Sequence, residues 1–128
     1  MAKTILLVED DQALRGAVVT RLETSDFEVV TAVDGEEAIT KFASSHPDLI
    51  LLDIILPKKS GLEVLEEIKL KQKNPVPIIV LSNADQEQDV ETGKNLGAVE
   101  YITKSNISLR DLVIRINKIL DGRPDNHD

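Results

Sequence analysis

The sequence contains no cysteine and no tryptophan, and aromatic residues make up only 2% of its 128 positions. Without cysteine, disulfide bonds and thiolate metal sites are excluded. Because 41% of the residues are hydrophobic and so few are aromatic, the core has to be built from Leu, Ile, Val and Ala. A chain of this length is expected to form one domain around a single apolar core.

Excess positive charge and long apolar runs are missing as well. The chain has 15 Lys and Arg against 23 Asp and Glu, a formal net charge of −8, so direct binding of nucleic acid is not expected. No apolar run approaches the length of a membrane span. Residues 1–4 lead straight into a strand-like run and do not resemble a signal peptide. We therefore expect a cytoplasmic protein without a membrane partner.

Apolar runs of strand length alternate with segments of helical periodicity. The runs predict strands over 5–8, 27–33, 49–52, 78–81 and 99–103. A fully apolar run such as 49–52 is typical of a parallel sheet that is covered by helices on both faces. Five consecutive β–α units predict a single doubly wound α/β domain over 1–122 with a five-stranded parallel sheet, followed by a polar tail over 123–128.

Local signals predict several helix boundaries and one buried helix face. Gly97 is placed to end a weakly apolar helix over 86–96, because glycine tolerates the left-handed conformation common after a helix. Predicted N-terminal caps are Asp11, Asp34 with Glu37, Ser60 with Glu63, and Ser108 with Asp111. The main apolar positions predicted for the third helix are Leu62, Leu65, Ile68 and Leu70.

Four of the predicted strands end on polar side chains. In an open parallel sheet, ligands bind beyond the carboxyl ends of the strands, so these side chains are expected to converge. Clustered acids repel one another and burial raises their pKa values, a conflict that a hard cation such as Mg²⁺ removes. The side chains are Glu9 and Asp10 after the first strand, Asp53 after the third, Ser82 after the fourth and Lys104 after the fifth.

The types of these side chains indicate phosphoryl chemistry. A carboxylate beside a metal ion, here Asp53, can act as a nucleophile toward a phosphoryl group. The Lys104 ammonium would neutralise one phosphoryl oxygen, and the Ser82 hydroxyl would donate to another. Taken one at a time, all except Asp53 have an ordinary structural explanation as a loop acid, a turn hydroxyl or a surface lysine. Their joint placement at strand ends favours the functional interpretation.

These residues carry a resemblance to the receiver domain of bacterial two-component response regulators. D-I-I-L-P-K-K-S-G at 53–61 is similar to the family's segment after its phosphorylated aspartate. L-G-A-V-E-Y-I-T-K at 96–104 is similar to its second signature. The resemblance extends from residue 4 to residue 120 and implies a flavodoxin-like sheet with the strand order 2-1-3-4-5.

The resemblance implies a role for each side chain of the cluster. Asp53 would accept a phosphoryl group from a histidine kinase or a phosphotransfer protein, and Ser82 and Lys104 would bind the phosphoryl oxygens. The only reactions of the domain itself would be its own phosphorylation and dephosphorylation, so it would not be an enzyme in the metabolic sense. Mg²⁺ would be held by Glu9, Asp10, Asp53 and the backbone carbonyl of Ile55.

The resemblance also implies a conformational switch. Tyr101 lies three residues before Lys104, at the position of the family's switch aromatic, and would act together with Ser82. Phosphorylation would then reshape the face formed by the fourth helix, fifth strand and fifth helix, which contacts an unknown downstream protein. The domain would be a monomer or a weak homodimer. The other interpretation of Tyr101 is a packed aromatic of an edge strand.

Two positions depart from the family pattern. Asn83 stands where the family usually has a small residue, and Ser105 stands where it usually has proline, often after a cis bond. A cis bond before a residue other than proline costs about 2.5–4 kcal/mol. We therefore expect the bond between Lys104 and Ser105 to be trans, or else cis and strained. Asn83, together with the apolar Ile55, predicts slow loss of the phosphoryl group.

Three other functions are weighed against this one. A phosphatase or mutase of the haloacid dehalogenase type needs a second acid two residues after its nucleophile, where this chain has Ile55. A receiver-like domain that only binds proteins would be expected to lack part of the acidic cluster or the lysine. A dinucleotide-binding domain is disfavoured because no G-x-G-x-x-G follows the first strand.

Overall fold

A five-stranded parallel sheet forms the centre of the structure, a computed structural model that describes residues 2–71, 76–82 and 97–122. Numbered along the chain, its strands are arranged in the order 2-1-3-4-5, which confirms the order that the family resemblance implied. The predicted helix over 86–96, the residue Asn83 and the tail over 123–128 lie outside the described residues. The strands are β1 (Thr4–Val8), β2 (Glu28–Ala32), β3 (Leu49–Asp53), β4 (Ile78–Ser82) and β5 (Glu100–Thr103).

The described helices cover both faces of this sheet. They are α1 (Gln12–Thr24), α2 (Gly35–Ser45), α3 (Gly61–Lys71) and a last helix (Leu109–Asp121), preceded by a 3₁₀ turn (Lys104–Asn106). On one face α1 contacts the last helix, and on the other α2 contacts α3. None of the helices within the described ranges has the length and apolarity needed to cross a membrane.

The helices begin at the capping residues that the sequence predicted. A side-chain oxygen of each cap accepts a hydrogen bond from the backbone amide three residues later, which satisfies a donor that the helix itself cannot pair. The acceptor–donor pairs are Asp11 with Leu14 (3.0 Å), Asp34 with Glu37 (2.7 Å), Ser60 with Glu63 (3.2 Å) and Ser108 with Asp111 (3.1 Å).

The strand β2 is shorter at both ends than the predicted segment 27–33. The amide of Phe27 donates to the Leu22 carbonyl at 3.0 Å, so Phe27 belongs to the turn that ends α1. At the other end, the Val33 amide donates to the Glu37 carboxylate at 2.9 Å and therefore belongs to the cap of α2. Helix-end hydrogen bonds thus take both residues out of the strand.

Side chains alternate across the sheet and form two apolar clusters. The cluster on one face joins Ile5 and Leu7 to α1 and the last helix, and the other joins Leu6 and Val8 to α2 and α3. Every residue of β3 is buried, as expected for the central strand of a sheet with both faces covered. The continuous apolar run at 49–52 is explained by this position.

The buried face of α3 differs from the prediction. Leu65 and Ile68 are fully buried, but Leu70 is 80% exposed, and Val64, which was not predicted, is fully buried. In an α-helix each residue is rotated by about 100° from the one before, so Leu70 points about 200° away from Ile68. The spacing of Val64, Leu65 and Ile68 keeps all three on one face. The prediction for Leu70 was therefore wrong because it followed hydrophobicity and not position.

Helix α3 begins directly against the end of β3. The Gly61 amide donates to the Ile54 carbonyl at 2.6 Å. A Cβ atom at Gly61 would overlap the Asp53 carbonyl oxygen and would lie 2.6 Å from the Ile54 Cα. These are backbone atoms that cannot move aside easily, so only glycine permits this approach. The chain after Asp53 is thereby folded back tightly on the strand that carries it.

Two glycine-to-alanine changes should alter stability in opposite directions. Gly61→Ala should lower the free energy of unfolding by about 1–3 kcal/mol, since the added methyl overlaps backbone. Gly16→Ala is the matched control, because a Cβ there has nothing within 4 Å inside α1, and it should raise stability by about 0.5–1 kcal/mol. Urea unfolding followed by circular dichroism measures both, and equal stabilities would contradict the close approach.

Candidate functional site

Four of the predicted polar side chains meet at the carboxyl end of the sheet. Asp53 is the last residue of β3, Glu9 directly follows β1, and Lys104 opens the turn after β5. Pairing of β1 with β3 runs in register up to Val8 opposite Leu52, which brings residues 9 and 53 to the same level. Carboxylate oxygens of Glu9, Asp10 and Asp53 lie within 4.8 Å of one another.

The three carboxylates differ in their access to solvent. Glu9 is 1% exposed and Asp53 is 5% exposed, whereas Asp10 is exposed. Together with Lys104 they line an open cleft of about 430 Å³, whose wall is completed by Asp11, Leu14 and Ile55. Two acids therefore form the floor of the cleft, and the third faces water.

The Lys104 ammonium bridges the two buried acids. Its Nζ donates a hydrogen bond to Asp53 Oδ2 at 2.9 Å and forms an ion pair with Glu9 Oε2, also at 2.9 Å. Burial alone would lower the pKa of Lys104, but the contacts with Asp53 and Glu9 outweigh burial and raise this pKa above its ordinary value. The ammonium is therefore held in its charged form between the carboxylates.

Glu9 is the acid whose ionisation the site opposes most clearly. Burial raises the pKa of Glu9 to about 6, and the negative charge of Asp53 adds to this, although Lys104 and the Asp11 amide act in the opposite direction. The Asp11 amide donates to Glu9 Oε1 at 3.1 Å. The other oxygen, Oε2, is buried. The Lys104 ammonium lies 2.9 Å from it as an ion pair, but within the described residues no donor is aligned with it for a hydrogen bond.

The donor set fits a hard divalent cation. Such cations prefer oxygen ligands, and two or three carboxylates with water complete the shell of Mg²⁺. Here three carboxylates converge, one of them has a buried oxygen without an aligned donor, and another opens to solvent. The residues Glu9, Asp10 and Asp53 could therefore hold a metal ion while leaving part of its shell to water or to an oxygen of a ligand.

Ile55 lies at the rim of the same cleft. Its amide donates to Asp53 Oδ1 at 3.2 Å, so each oxygen of the Asp53 carboxylate has a partner, the other being Lys104. The Ile55 side chain is 57% exposed. An apolar group is thus presented to solvent next to Asp53, the residue that the sequence analysis predicts to be the phosphoryl acceptor.

The loop after Asp53, residues 54–60, is supported by contacts that the sequence did not predict. The Gly35 amide donates to the Pro57 carbonyl at 3.3 Å, and a Cβ at Gly35 would overlap the backbone of Lys59. Lys58 lies 3.7 Å from the Asp34 carboxylate. These contacts tie the loop to the start of α2. The only signal in the sequence was the Asp34-Gly35 pair, which indicated a turn and a cap.

Ser82 and Tyr101 lie on neighbouring strands near the cleft. Ser82 ends β4 and pairs with Thr103, but its side chain lies outside the described part of the structure. Tyr101 pairs with Val80, is half-buried, and packs against the apolar cluster on the α2 and α3 face. Its role as a switch stays a prediction. No peptide bond in the described ranges is cis, so the bond between Lys104 and Ser105 is trans.

Comparison with known proteins gives one consistent family. The family model described as response regulator receiver domain matches residues 5–117. The chain is 42% identical over 120 residues to the alkaline phosphatase synthesis transcriptional regulatory protein PhoP of Bacillus subtilis, covering 94% of this chain and 49% of that protein. It is 36% identical over 125 residues to the sensory transduction protein RegX3 of Mycolicibacterium smegmatis, covering 98% of this chain and 54% of that protein.

A solved structure shows the same likeness in three dimensions. The CheY-like response regulator receiver domain protein of Methanospirillum hungatei is 32% identical and superposes with a TM-score of 0.86, covering 94% of this chain and 95% of that one. By contrast, the chain spans about half the length of the curated relatives it matches. The likeness therefore concerns the receiver part of those proteins.

Replacing Glu9 by glutamine should change the pH dependence of stability. As the pH rises from 4.5 toward 6, the unfolded chain releases the Glu9 proton before the folded one does, so folding stability falls. The loss is on the order of 2 kcal/mol, and Glu9→Gln should not show it. We therefore compare the free energy of unfolding of Glu9→Gln with that of wild type in metal-free buffer. The variant's value minus the wild-type value should be larger by this amount at about pH 7.5 than at about pH 4.

Urea unfolding at the two pH values measures this difference. Glu23→Gln, which removes an exposed acid of α1, is the matched control for the loss of one negative charge. An advantage of Glu9→Gln that is the same at both pH values would show that the buried carboxylate does not resist ionisation.

Proposed function

The chain belongs to the family of response regulator receiver domains, and we propose that it is a phosphoacceptor of a two-component phosphorelay. Asp53 accepts a phosphoryl group from a histidine kinase or a phosphotransfer protein. The observation that supports this most strongly is the position of the Asp53 carboxylate, which is buried at the floor of an open cleft, beside two further acids and 2.9 Å from the Lys104 ammonium.

Mg²⁺ is the cofactor that this proposal assigns to the cleft. Glu9, Asp10 and Asp53, with the backbone carbonyl of Ile55, would hold it. When bound, the ion would neutralise the negative charge of the acids and of the incoming phosphoryl oxygens. Without such a cation, a phosphoryl group would have to approach three clustered carboxylates that face it with like charge.

The transfer itself needs few protein groups. A carboxylate oxygen of Asp53 attacks phosphorus, and the new P–O bond forms as the P–N bond of the phosphohistidine breaks. The donor imidazole, which carries a proton on its other ring nitrogen, takes the bonding electron pair and leaves as neutral histidine. The Lys104 ammonium, already next to Asp53 Oδ2, moves its contact to a phosphoryl oxygen. The Ser82 hydroxyl donates to another. Hydrolysis of the acyl phosphate by water returns Asp53 to its starting form, so the domain acts on itself alone.

Signalling follows from the redistribution of these contacts. Before phosphorylation Lys104 is held by Glu9 and Asp53. Once a phosphoryl group competes for Lys104 and Ser82, the ends of β4 and β5 are drawn toward Asp53, and the conformation of the neighbouring Tyr101 is biased. A downstream protein reads this change on the surface that includes β5 and the last helix. Direct contact with nucleic acid is not part of the proposal, given the net charge of −8.

The proposal is tested by phosphorylation in vitro. Incubation with acetyl phosphate and Mg²⁺ should add one phosphoryl group to the wild type, as measured by intact-protein and peptide mass spectrometry. Asp53→Ala should not be labelled, because it removes the carboxylate that the proposal makes the acceptor. Glu9 also contacts Lys104, but it is only 1% exposed and the proposal assigns it to the metal ion. Removing Mg²⁺ with EDTA should abolish labelling of the wild type.

A matched control is Asp121→Asn, which removes an exposed acid at the far end of the last helix and should leave labelling unchanged. Labelling of Asp53→Ala to the wild-type extent would refute Asp53 as the acceptor. Failure of the wild type to be labelled in Mg²⁺, by acetyl phosphate and by a competent kinase, would refute the phosphoacceptor function as a whole.

The acyl phosphate should be lost slowly. Hydrolysis needs a water molecule that is oriented toward phosphorus, and the exposed side chain of Ile55 beside Asp53 offers no hydrogen bond to such a water. We expect a lifetime of minutes or longer without a phosphatase, and a severalfold shorter one in Ile55→Asn. Leu70→Asn makes the same chemical change at an exposed position of α3 that does not line the cleft.

The decay is followed by mass spectrometry after the phosphodonor has been removed on a desalting column. Loss of the wild-type phosphoryl group within seconds would contradict the prediction, as would equal lifetimes of the wild type and Ile55→Asn.

A further inference from the structure

The side chain of Arg15 contacts the backbone of both acids that follow β1. Its Nη1 donates to the Glu9 carbonyl at 3.1 Å and to the Asp10 carbonyl at 3.4 Å. Arg15 lies in the first turns of α1, so its guanidinium reaches back over the start of the helix onto the preceding loop. We propose that Arg15 is a positioning residue for the cation site: it holds the backbone of Glu9 and Asp10 so that their carboxylates face Asp53.

The neighbouring residues of this loop have anchors of other kinds. The Glu9 amide donates to the Ala32 carbonyl at 3.1 Å, which ties the start of the loop to β2. Asp11 is fixed as the cap of α1 through its contact with Leu14. Asp10 stands between them with an exposed side chain, and the Arg15 guanidinium contacts its backbone carbonyl. Arg15, a residue of α1, thus restrains the orientation of Asp10 through its guanidinium.

Repulsion among the clustered carboxylates explains why the contact of Arg15 with the backbone is needed. The carboxylates of Glu9, Asp10 and Asp53 lie within 4.8 Å of one another and disfavour that arrangement when charged. The exposed member of the group is the one that can move away most easily. A planar guanidinium that contacts two successive carbonyls loses little conformational freedom on binding and restrains both at once. Arg15 therefore acts on the backbone of Glu9 and Asp10, and it keeps their carboxylates near Asp53 without contacting the carboxylates themselves.

A positioning role and a simple charge effect predict opposite results for Mg²⁺ binding. The positive charge of Arg15 repels a cation, so if charge alone mattered, removing the side chain would strengthen binding. If the contacts with the two carbonyls matter, removal lets the loop relax and binding weakens. The sign of the change in affinity decides between these explanations. The inference takes the Mg²⁺ site from the proposed function.

The experiment measures the Mg²⁺ dissociation constant by isothermal titration calorimetry. Arg15→Ala should weaken binding by about tenfold, as is typical when a group that supports metal ligands is removed. Arg15→Lys, which keeps the charge but replaces the planar guanidinium with an ammonium, should fall between Arg15→Ala and wild type. Arg21→Ala is the matched control, because it removes the same charge from an exposed position about 9 Å further along α1, and its affinity should stay within about twofold of wild type.

A second measurement needs no metal. The Asp11 amide donates to Glu9 Oε1 at 3.1 Å, so its hydrogen exchange reports on the order of the loop. In metal-free protein, exchange at this amide should be faster in Arg15→Ala than in wild type and unchanged in Arg21→Ala. Urea unfolding of the same variants separates a local effect from a general loss of stability, because only a local effect leaves the free energy of unfolding nearly the same.

Weaker Mg²⁺ binding together with faster Asp11 exchange in Arg15→Ala supports the positioning role. Mg²⁺ affinity in Arg15→Ala that equals or exceeds that of wild type would overturn it while the proposed function stands. Absence of Mg²⁺ binding in wild type would overturn the proposed function and this inference together. Should Arg15→Ala fail to fold, Arg15→Lys carries the test, and wild-type values of both measurements in that variant would overturn the inference.

Discussion

The contact of Lys104 with both Glu9 and Asp53, at 2.9 Å each, is the interaction on which the functional end of this domain depends. Two carboxylates with 1% and 5% exposure would otherwise lie close together with no compensating charge. The balance is incomplete, because the pKa of Glu9 is still raised to about 6. The Lys104 ammonium thus compensates the charge of two buried carboxylates, and a third carboxylate, that of Asp10, lies exposed nearby.

An incompletely balanced cluster is well suited to exchange its partners. In the proposed function, a metal ion would add the positive charge that the acids need, and a phosphoryl group would add negative charge that could draw Lys104 away from them. Each event would change which groups hold the ends of β1, β3 and β5 together. The same electrostatic conflict that opposes ionisation of Glu9 would therefore make the proposed site sensitive to phosphorylation. Functional sites commonly combine these two properties.

The surrounding backbone holds Asp53 with little freedom. Its strand is buried throughout. The start of α3 packs against the Asp53 carbonyl at Gly61, and the loop that follows Asp53 packs against the start of α2 at Gly35. The acids after β1 are held differently, by a strand contact at Glu9 and by the Arg15 guanidinium. The cleft thus has Asp53 at its centre, enclosed by close backbone contacts, and Glu9 and Asp10 at its side.

Much of the fold could be predicted because it depends on local chemistry. The alternation of apolar runs, the four helix caps and the polar residues at the strand ends are properties of neighbouring residues, and the structure shows each of them. The strand order came from the family resemblance, since periodicity carries no information about which strands pair. The prediction that Leu70 is buried failed because hydrophobicity alone does not tell which face of α3 meets the sheet.

Residue types and spacing were enough to identify Asp53, Glu9, Asp10 and Lys104 as one candidate site. Only the tertiary structure could decide that Lys104 bridges two acids and that Gly35 and Gly61 allow close backbone contacts with the chain after β3. The contact of the Arg15 guanidinium with the backbone of Glu9 and Asp10 is another such feature. Lys104 and Asp53 are 51 positions apart in the chain. Contacts at such separations depend on how whole helices and strands pack. The resulting distances and burial determine the protonation of the clustered side chains, and local sequence cannot specify either of them.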